Sequence, residues 1–146
     1  MNTLGQERAK FAYDQVQKAL AELRKGEKEA NIAKDFSSFV AGLPAMILQN
    51  GLGHTLCFLL AKAADQKKGD YKKTGKETKY WLAFEALASW LKNQKMLSFD
   101  SENPTETVKK IAEMDALQYL AVQEEALRFL EWFKVMSKMF VEEEGA

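Results

Sequence analysis

The sequence predicts an all-α fold, a bundle of six or seven helices with a long C-terminal helix. Three observations carry that expectation. Apolar residues recur at spacings of three and four through most of the chain, and no stretch of strand length alternates apolar with polar. The eight glycines and two prolines sit mostly between the periodic segments, where helices stop and start. With 146 residues and 47% apolar side chains, the chain has material for one hydrophobic core and is expected to form one helical domain over 1–146.

The elements follow in order. From Arg8 to Lys25, Ala9, Ala12, Tyr13, Val16, Ala19, Leu20 and Leu23 share one face, and Gly26 ends the helix. A second helix from about Glu27 to Ala41 carries Ile32, Phe36, Phe39 and Val40. It stops at Gly42-Leu43-Pro44, because the proline ring disfavours helical backbone at Leu43. Pro44 then opens a short third helix to Gln49. After the Asn50-Gly51 turn, Leu52 to about Gln66 places Leu52, Leu56, Leu59, Leu60 and Ala63 on one side and His54, Phe58 and Ala61 on the other. Residues 67–76 have no period and read as a solvated loop. Glu77 to Gln94 is expected to bury Tyr80, Phe84, Leu87 and Leu91, flanked by Trp81 and Ala88. Asn103-Pro104-Thr105-Glu106 has the form of a capping box opening a short helix to about Glu113. Asp115 to about Glu142, free of Gly and Pro, forms the longest helix, with apolar residues over about half its circumference.

Charge and composition narrow the function. The 21 basic side chains balance the 21 acidic ones, but residues 1–95 carry 16 basic against 10 acidic, and residues 96–146 carry 5 against 11. Opposite-signed halves suit pairing with copies of the chain or with an unlike partner, and they argue against strong affinity for free nucleic acid. The longest apolar run in the central region, Leu56 to Ala61, is far short of the ~20 residues of a membrane-spanning helix, and the N-terminal residues lack an apolar signal core. A cytoplasmic protein is expected. One cysteine, Cys57, and one histidine, His54, supply no disulfide and no His/Cys metal set, so neither a metal nor a cofactor is expected.

Catalytic constellations are also lacking. Gly51-Leu52-Gly53-His54 has neither the preceding strand nor the glycine pattern of a phosphate-binding loop. His54 and Cys57 read as packing residues before they read as base and nucleophile. Glu124 and Glu125 point about 100° apart on a helix and form no dyad. An enzyme built around His54 is the weakest reading, and no catalytic residue is expected.

Two features remain. Lys62, Lys67, Lys68, Lys72, Lys73, Lys76 and Lys79, interleaved with Tyr71 and Tyr80, suit phosphate contact and base stacking as well as a plain solvated surface. The second face of the Leu52 helix suits either burial in the bundle or docking of a partner.

The stretch from Phe36 to Lys62 resembles the signature of the small α-helical subunit of Cmr-type (type III-B) CRISPR effector complexes. In that family a Pro-x-Met-Ile-x-x-Asn-Gly-Leu core, here Pro44 to Leu52, leads into Thr-Leu-x-Phe-Leu-Leu-x-Lys, here Thr55 to Lys62. Weaker matches are Arg8-Ala9 and Glu125-Ala126-Leu127 followed by Leu130 and Trp132. The resemblance implies a non-catalytic subunit that stacks as a short filament in an RNA-guided ribonucleoprotein of antiviral defence. Its partners would be other Cmr subunits, neighbouring copies of itself, and the guide and target RNA backbone, with no membrane. Matching positions with an implied contact role are Arg8, Lys62 and Lys134. Lys10, Lys18, Lys67 and Lys68 join them from the charge pattern, and His54, Phe58 and Ala61 form the expected protein interface. The competing reading is a helical protein-protein adaptor with no nucleic-acid role.

Overall fold

A computed structural model describes residues 2–26, 31–65, 70, 71 and 78–144. Among them run seven helices: α1 Leu4–Gly26, α2 Ile32–Ala41, α3 Leu43–Asn50, α4 Leu52–Ala63, α5 Thr78–Asn93, α6 Pro104–Ala112 and α7 Ala116–Glu144. The all-α class holds, and the C-terminal helix is the longest at 29 residues. A small feature departs from it. Ala64–Asp65 (β1) pairs antiparallel with Asp70–Tyr71 (β2), with Ala64 opposite Tyr71. Two residues per strand make a clasp and not a sheet.

That clasp shortens α4. The sequence pattern carries the helix to about Gln66, but Ala64 takes extended backbone at φ −64°, ψ 130°, and helical hydrogen bonding ends at Ala63. Most of the expected 67–76 loop, with Lys67 and Lys68, lies outside the described residues. Tyr71 within it is held against the bundle, stacked on Trp81 with ring centroids 5.3 Å apart and planes 22° apart.

Helix starts differ from expectation in three places. α2, expected from about Glu27, begins at Ile32, with Asn31 non-helical as its cap residue. The capping box expected at Asn103 does not form: Asn103 Oδ1 accepts the Thr105 hydroxyl at 3.2 Å, and Asn103 gives the helix no side-chain cap. A capping box does form at Thr3. The Gln6 N–H donates to Thr3 Oγ1 at 3.1 Å, and the Thr3 N–H donates to Gln6 Oε1 at 2.8 Å. It starts α1 at Leu4, four residues before the expected start at Arg8. Asp115 opens α7 in a similar way, its Oδ1 accepting the Gln118 N–H at 2.8 Å.

The core lies between α5 and α7. α5 is buried on nearly every side, from Trp81 through Phe84, Leu87, Ala88 and Trp90 to Leu91. Trp81 and Ala88, expected only to flank it, are thus inside, whereas Tyr80 is half-buried at the edge. α7 contributes Val122, Ala126, Phe129, Leu130 and Phe133. Trp90 stacks on Phe129 at 5.6 Å and 12°, and Phe129 stacks on Phe133 at 5.5 Å. Offset stacks of this kind add about 0.5–1.5 kcal/mol each beyond the area they bury. α1 and α2 pack along α7, while α4 packs against α5.

The α3–α4 elbow is built on glycine. Gly51 stands at φ 88°, ψ 160°, a conformation open in practice only to glycine. The turn delivers the first N–H groups of α4 to α7: Leu52 donates to Gln123 Oε1 at 2.9 Å, and Gly53 donates to the Tyr119 hydroxyl at 3.0 Å. These are the donors a phosphate-binding loop would offer to a ligand, and they are satisfied within the protein.

Candidate nucleic-acid interface

α4 is apolar on two sides and buries one of them. Leu52, Leu56, Leu59, Leu60 and Ala63 are in the core; His54, Cys57 and Ala61 are exposed, and Phe58 is half-buried. Phe58 meets Tyr80 of α5 edge to face at 6.2 Å, and Tyr80 meets Phe39 of α2 edge to face at 5.1 Å. Three helices therefore bring three partly covered rings together beside the open face.

Two ammonium groups sit over those rings. Lys62 Nζ lies 5.8 Å from the Phe58 centroid, and Lys79 Nζ lies 5.2 Å from Phe39 and 5.4 Å from Tyr80. The ring faces attract each ammonium and narrow the positions it samples, while its N–H donors remain available to an anion. Lysines held against half-open aromatic rings combine the two chemistries that bind a nucleic-acid strand without reading its sequence, phosphate contact and stacking.

The other cations named from sequence stand on other elements. Lys10 on α1 is 79% exposed, with a loose contact to Asp14 at 3.7 Å. Lys18 is paired with Glu85 of α5 at 2.7 Å, and Lys134 with Glu131 at 3.3 Å. Lys79 is the addition: it belongs to the basic run, but only the fold brings it over Phe39, forty residues away in sequence.

A family model for CRISPR-associated protein Cas_Cmr5 matches residues 4–140. The chain belongs to that family. It is accordingly a CRISPR-associated Cmr subunit, and among its described residues no helix is long and apolar enough to cross a membrane.

Family membership gives the expected signature a physical form. Pro44 to Lys62 is the α3–α4 elbow with all of α4 but its last residue, ending on the lysine that covers Phe58. The two weaker matches, 117 residues apart, touch. Arg8 Nε donates to Glu125 Oε2 at 2.6 Å, and its Nη2 donates to Oε1 at 2.7 Å, a bidentate pair with both side chains nearly buried. Trp90 Nε1 adds a third hydrogen bond to Glu125 Oε2 at 2.9 Å. Arg8, expected at the nucleic-acid surface, is thus turned inward and spends its fork on α7.

Electrostatics follow from that geometry. Burial pushes the Glu125 carboxyl up, but hydrogen bonds from Arg8 and Trp90 and the charges of Arg8 and Arg128 outweigh it and hold the group below its ordinary range. The hydrogen bond to Glu125 keeps Arg8 above its ordinary value against the opposing effect of burial. Glu124, next in sequence, is exposed and accepts from Arg128 Nη2 at 2.7 Å. The adjacent acids have separate hydrogen-bond partners.

Proposed function

We propose that the chain is a non-catalytic structural subunit of a type III-B CRISPR (Cmr) effector ribonucleoprotein, stacking in a short filament and lining the groove of guide and target RNA. Family membership supplies the complex. The observation that carries the RNA contact is the cluster of Lys62 and Lys79 over Phe58, Tyr80 and Phe39, beside the open face of α4. Such a subunit contacts backbone, because guide pairing already specifies the sequence. His54 and Ala61 flank the cluster on α4 and, with Phe58 of the cluster itself, serve as the protein interface; Lys67 and Lys68 extend the basic run. Lys10, Lys18 and Lys134 are the contacts on the α1 and α7 side.

The test is made in the assembled complex. Charge reversal at Lys62, Lys67 and Lys68 is expected to weaken target-strand binding about equally for different guides, and to lower the salt slope by about one unit for each phosphate no longer neutralised. Phe58→Asp is expected to reduce incorporation of the subunit. Affinity and slope unchanged by these reversals, but reduced by Lys10, Lys18 or Lys134 variants, would put the groove on the α1 and α7 side. If no basic substitution matters, the adaptor reading with no nucleic-acid role replaces this one.

A further inference from the structure

Lys95 stands at φ 61°, and among the described residues it is the one non-glycine in the left-handed region. It lies two residues past Asn93, the end of α5, where the chain closes the helix with two reversed hydrogen bonds. The Lys95 N–H donates to the Lys92 carbonyl at 2.9 Å, and the Met96 N–H donates to the Leu91 carbonyl at 3.0 Å. Helices that close in this way usually carry glycine at that position, because a Cβ is disfavoured in left-handed backbone. A cation for the carbonyl end of α5 does not require the strained position, since Lys92 in the last turn already supplies one.

The position does put a lysine on a cleft. Lys95 and Lys110 of α6 both line an open cleft of about 440 Å³ where the α5–α6 connection meets α6 and the start of α7. Among the described residues neither ammonium is held in an ion pair. Glu113 is the third charged residue of the lining, which leaves a net charge of +1. Met96, Leu97 and Met114 add apolar surface, and Ser98 and Gln118 add a hydroxyl and an amide. Apolar surface with a few polar groups, in a space of this size, is the make-up of a small-molecule site. The cleft is separate from the aromatic and lysine cluster beside α4: Lys79 and Asn93, at the two ends of α5, are about 21 Å apart along the axis.

We propose that this cleft binds a nucleoside monophosphate unit, its phosphate held by Lys95 and Lys110 and its sugar and base set against Met96, Leu97 and Met114. Unpaired ammonium groups select a phosphate, and a net charge of +1 suits one phosphate group better than three. Glu113 and Gln118 can accept from sugar hydroxyls. The unit has two sources with the same chemistry, a free nucleotide or the end of an RNA strand. Both lysines are exposed, so the affinity is modest, with Kd on the order of 0.1–1 mM. The site does not depend on the groove proposed above.

Titration of the isotope-labelled full chain with adenosine monophosphate, followed by amide chemical shifts, tests this. Saturable shifts are expected at residues 95–98 and 110–118, with adenosine and inorganic phosphate each binding at least about tenfold more weakly. Lys110→Gln and Lys95→Gly should each raise Kd at least about fivefold, while Lys109→Gln, outside the lining, leaves it unchanged. Lys95→Gly should at the same time raise the thermal midpoint by about 2–4 °C, because the left-handed backbone then carries no Cβ. Loss of binding together with a gain in stability is a result that a merely structural lysine does not give. A 5′-phosphorylated RNA pentamer that displaces adenosine monophosphate and binds more tightly assigns the site to an RNA end; one that binds more weakly assigns it to the free nucleotide. The proposal is overturned if no saturable shift occurs at these amides up to about 10 mM, or if inorganic phosphate binds as tightly as the nucleotide. It is overturned equally by a Lys95→Gly chain that binds as well as the wild type or is less stable than it.

Discussion

Glu125→Ala is expected to lower the unfolding free energy by about 3–5 kcal/mol, measured by urea denaturation at neutral pH. The effect is large because the carboxylate serves two donors that have little access to water. Without it Arg8 is a nearly buried guanidinium with no counter-charge, and the Trp90 N–H is a buried donor with no acceptor. Arg8→Met should cost nearly as much, by stranding the carboxylate. Arg8→Met with Glu125→Met should recover much of the stability, since a buried pair replaced by apolar side chains of similar size is often close to neutral. The sign of the pH dependence follows from the lowered Glu125 value. Its contribution is complete above the unfolded carboxylate value of about 4.3 and is lost as pH falls through the folded value. The wild type should therefore lose stability in acid more steeply than Glu125→Gln. A Glu125→Ala cost below about 1 kcal/mol would mean that the pair is worth no more than one on the surface.

That pair marks the limit of what the sequence conveyed. Apolar period placed all seven helices, because each has a face that must leave water, and that requirement is local: Val16 and Leu20 on α1 or Leu56 and Leu59 on α4 declare themselves within one turn. The open face of α4 was legible for the same reason, but whether it was buried depended on what else the fold could set against it. Polar partners are not local. Arg8 and Glu125 are opposite charges near segments of the family signature, yet nothing in either segment says that they meet, and a lone arginine on an amphipathic helix reads as a surface cation. The caps misled in the other direction. Asn103 has the right residues around it, but its side-chain oxygen takes the Thr105 hydroxyl instead, whereas Thr3 and Gln6 form the box in a stretch with no apolar period to draw attention to it. Lys79 sat in a run of lysines that composition could not sort. Only the packing of α2 against the start of α5 singles it out, over Phe39 and Tyr80.

Gly51→Ala is expected to destabilise the fold by about 2–4 kcal/mol through backbone strain and a broken hydrogen bond. At φ 88°, ψ 160° a Cβ is disfavoured whatever surrounds it, and here it would also lie 2.8 Å from the Tyr119 hydroxyl. The hydroxyl cannot simply move away, because it accepts the Gly53 N–H at the start of α4. Relief in one place therefore costs a hydrogen bond in the other. Tyr119→Phe separates the two effects: alone it should cost about 1 kcal/mol, the ordinary value of one hydrogen bond. Combined with Gly51→Ala it removes the collision but not the strain, so the double variant should remain at least about 1 kcal/mol less stable than Tyr119→Phe. The elbow also aims α4, so incorporation of Gly51→Ala into the effector complex should fall even at temperatures where the variant is folded. A Gly51→Ala protein as stable as the wild type would show that the elbow can adopt another backbone conformation, and the tie of α4 to Tyr119 and Gln123 would then not fix the direction of its open face.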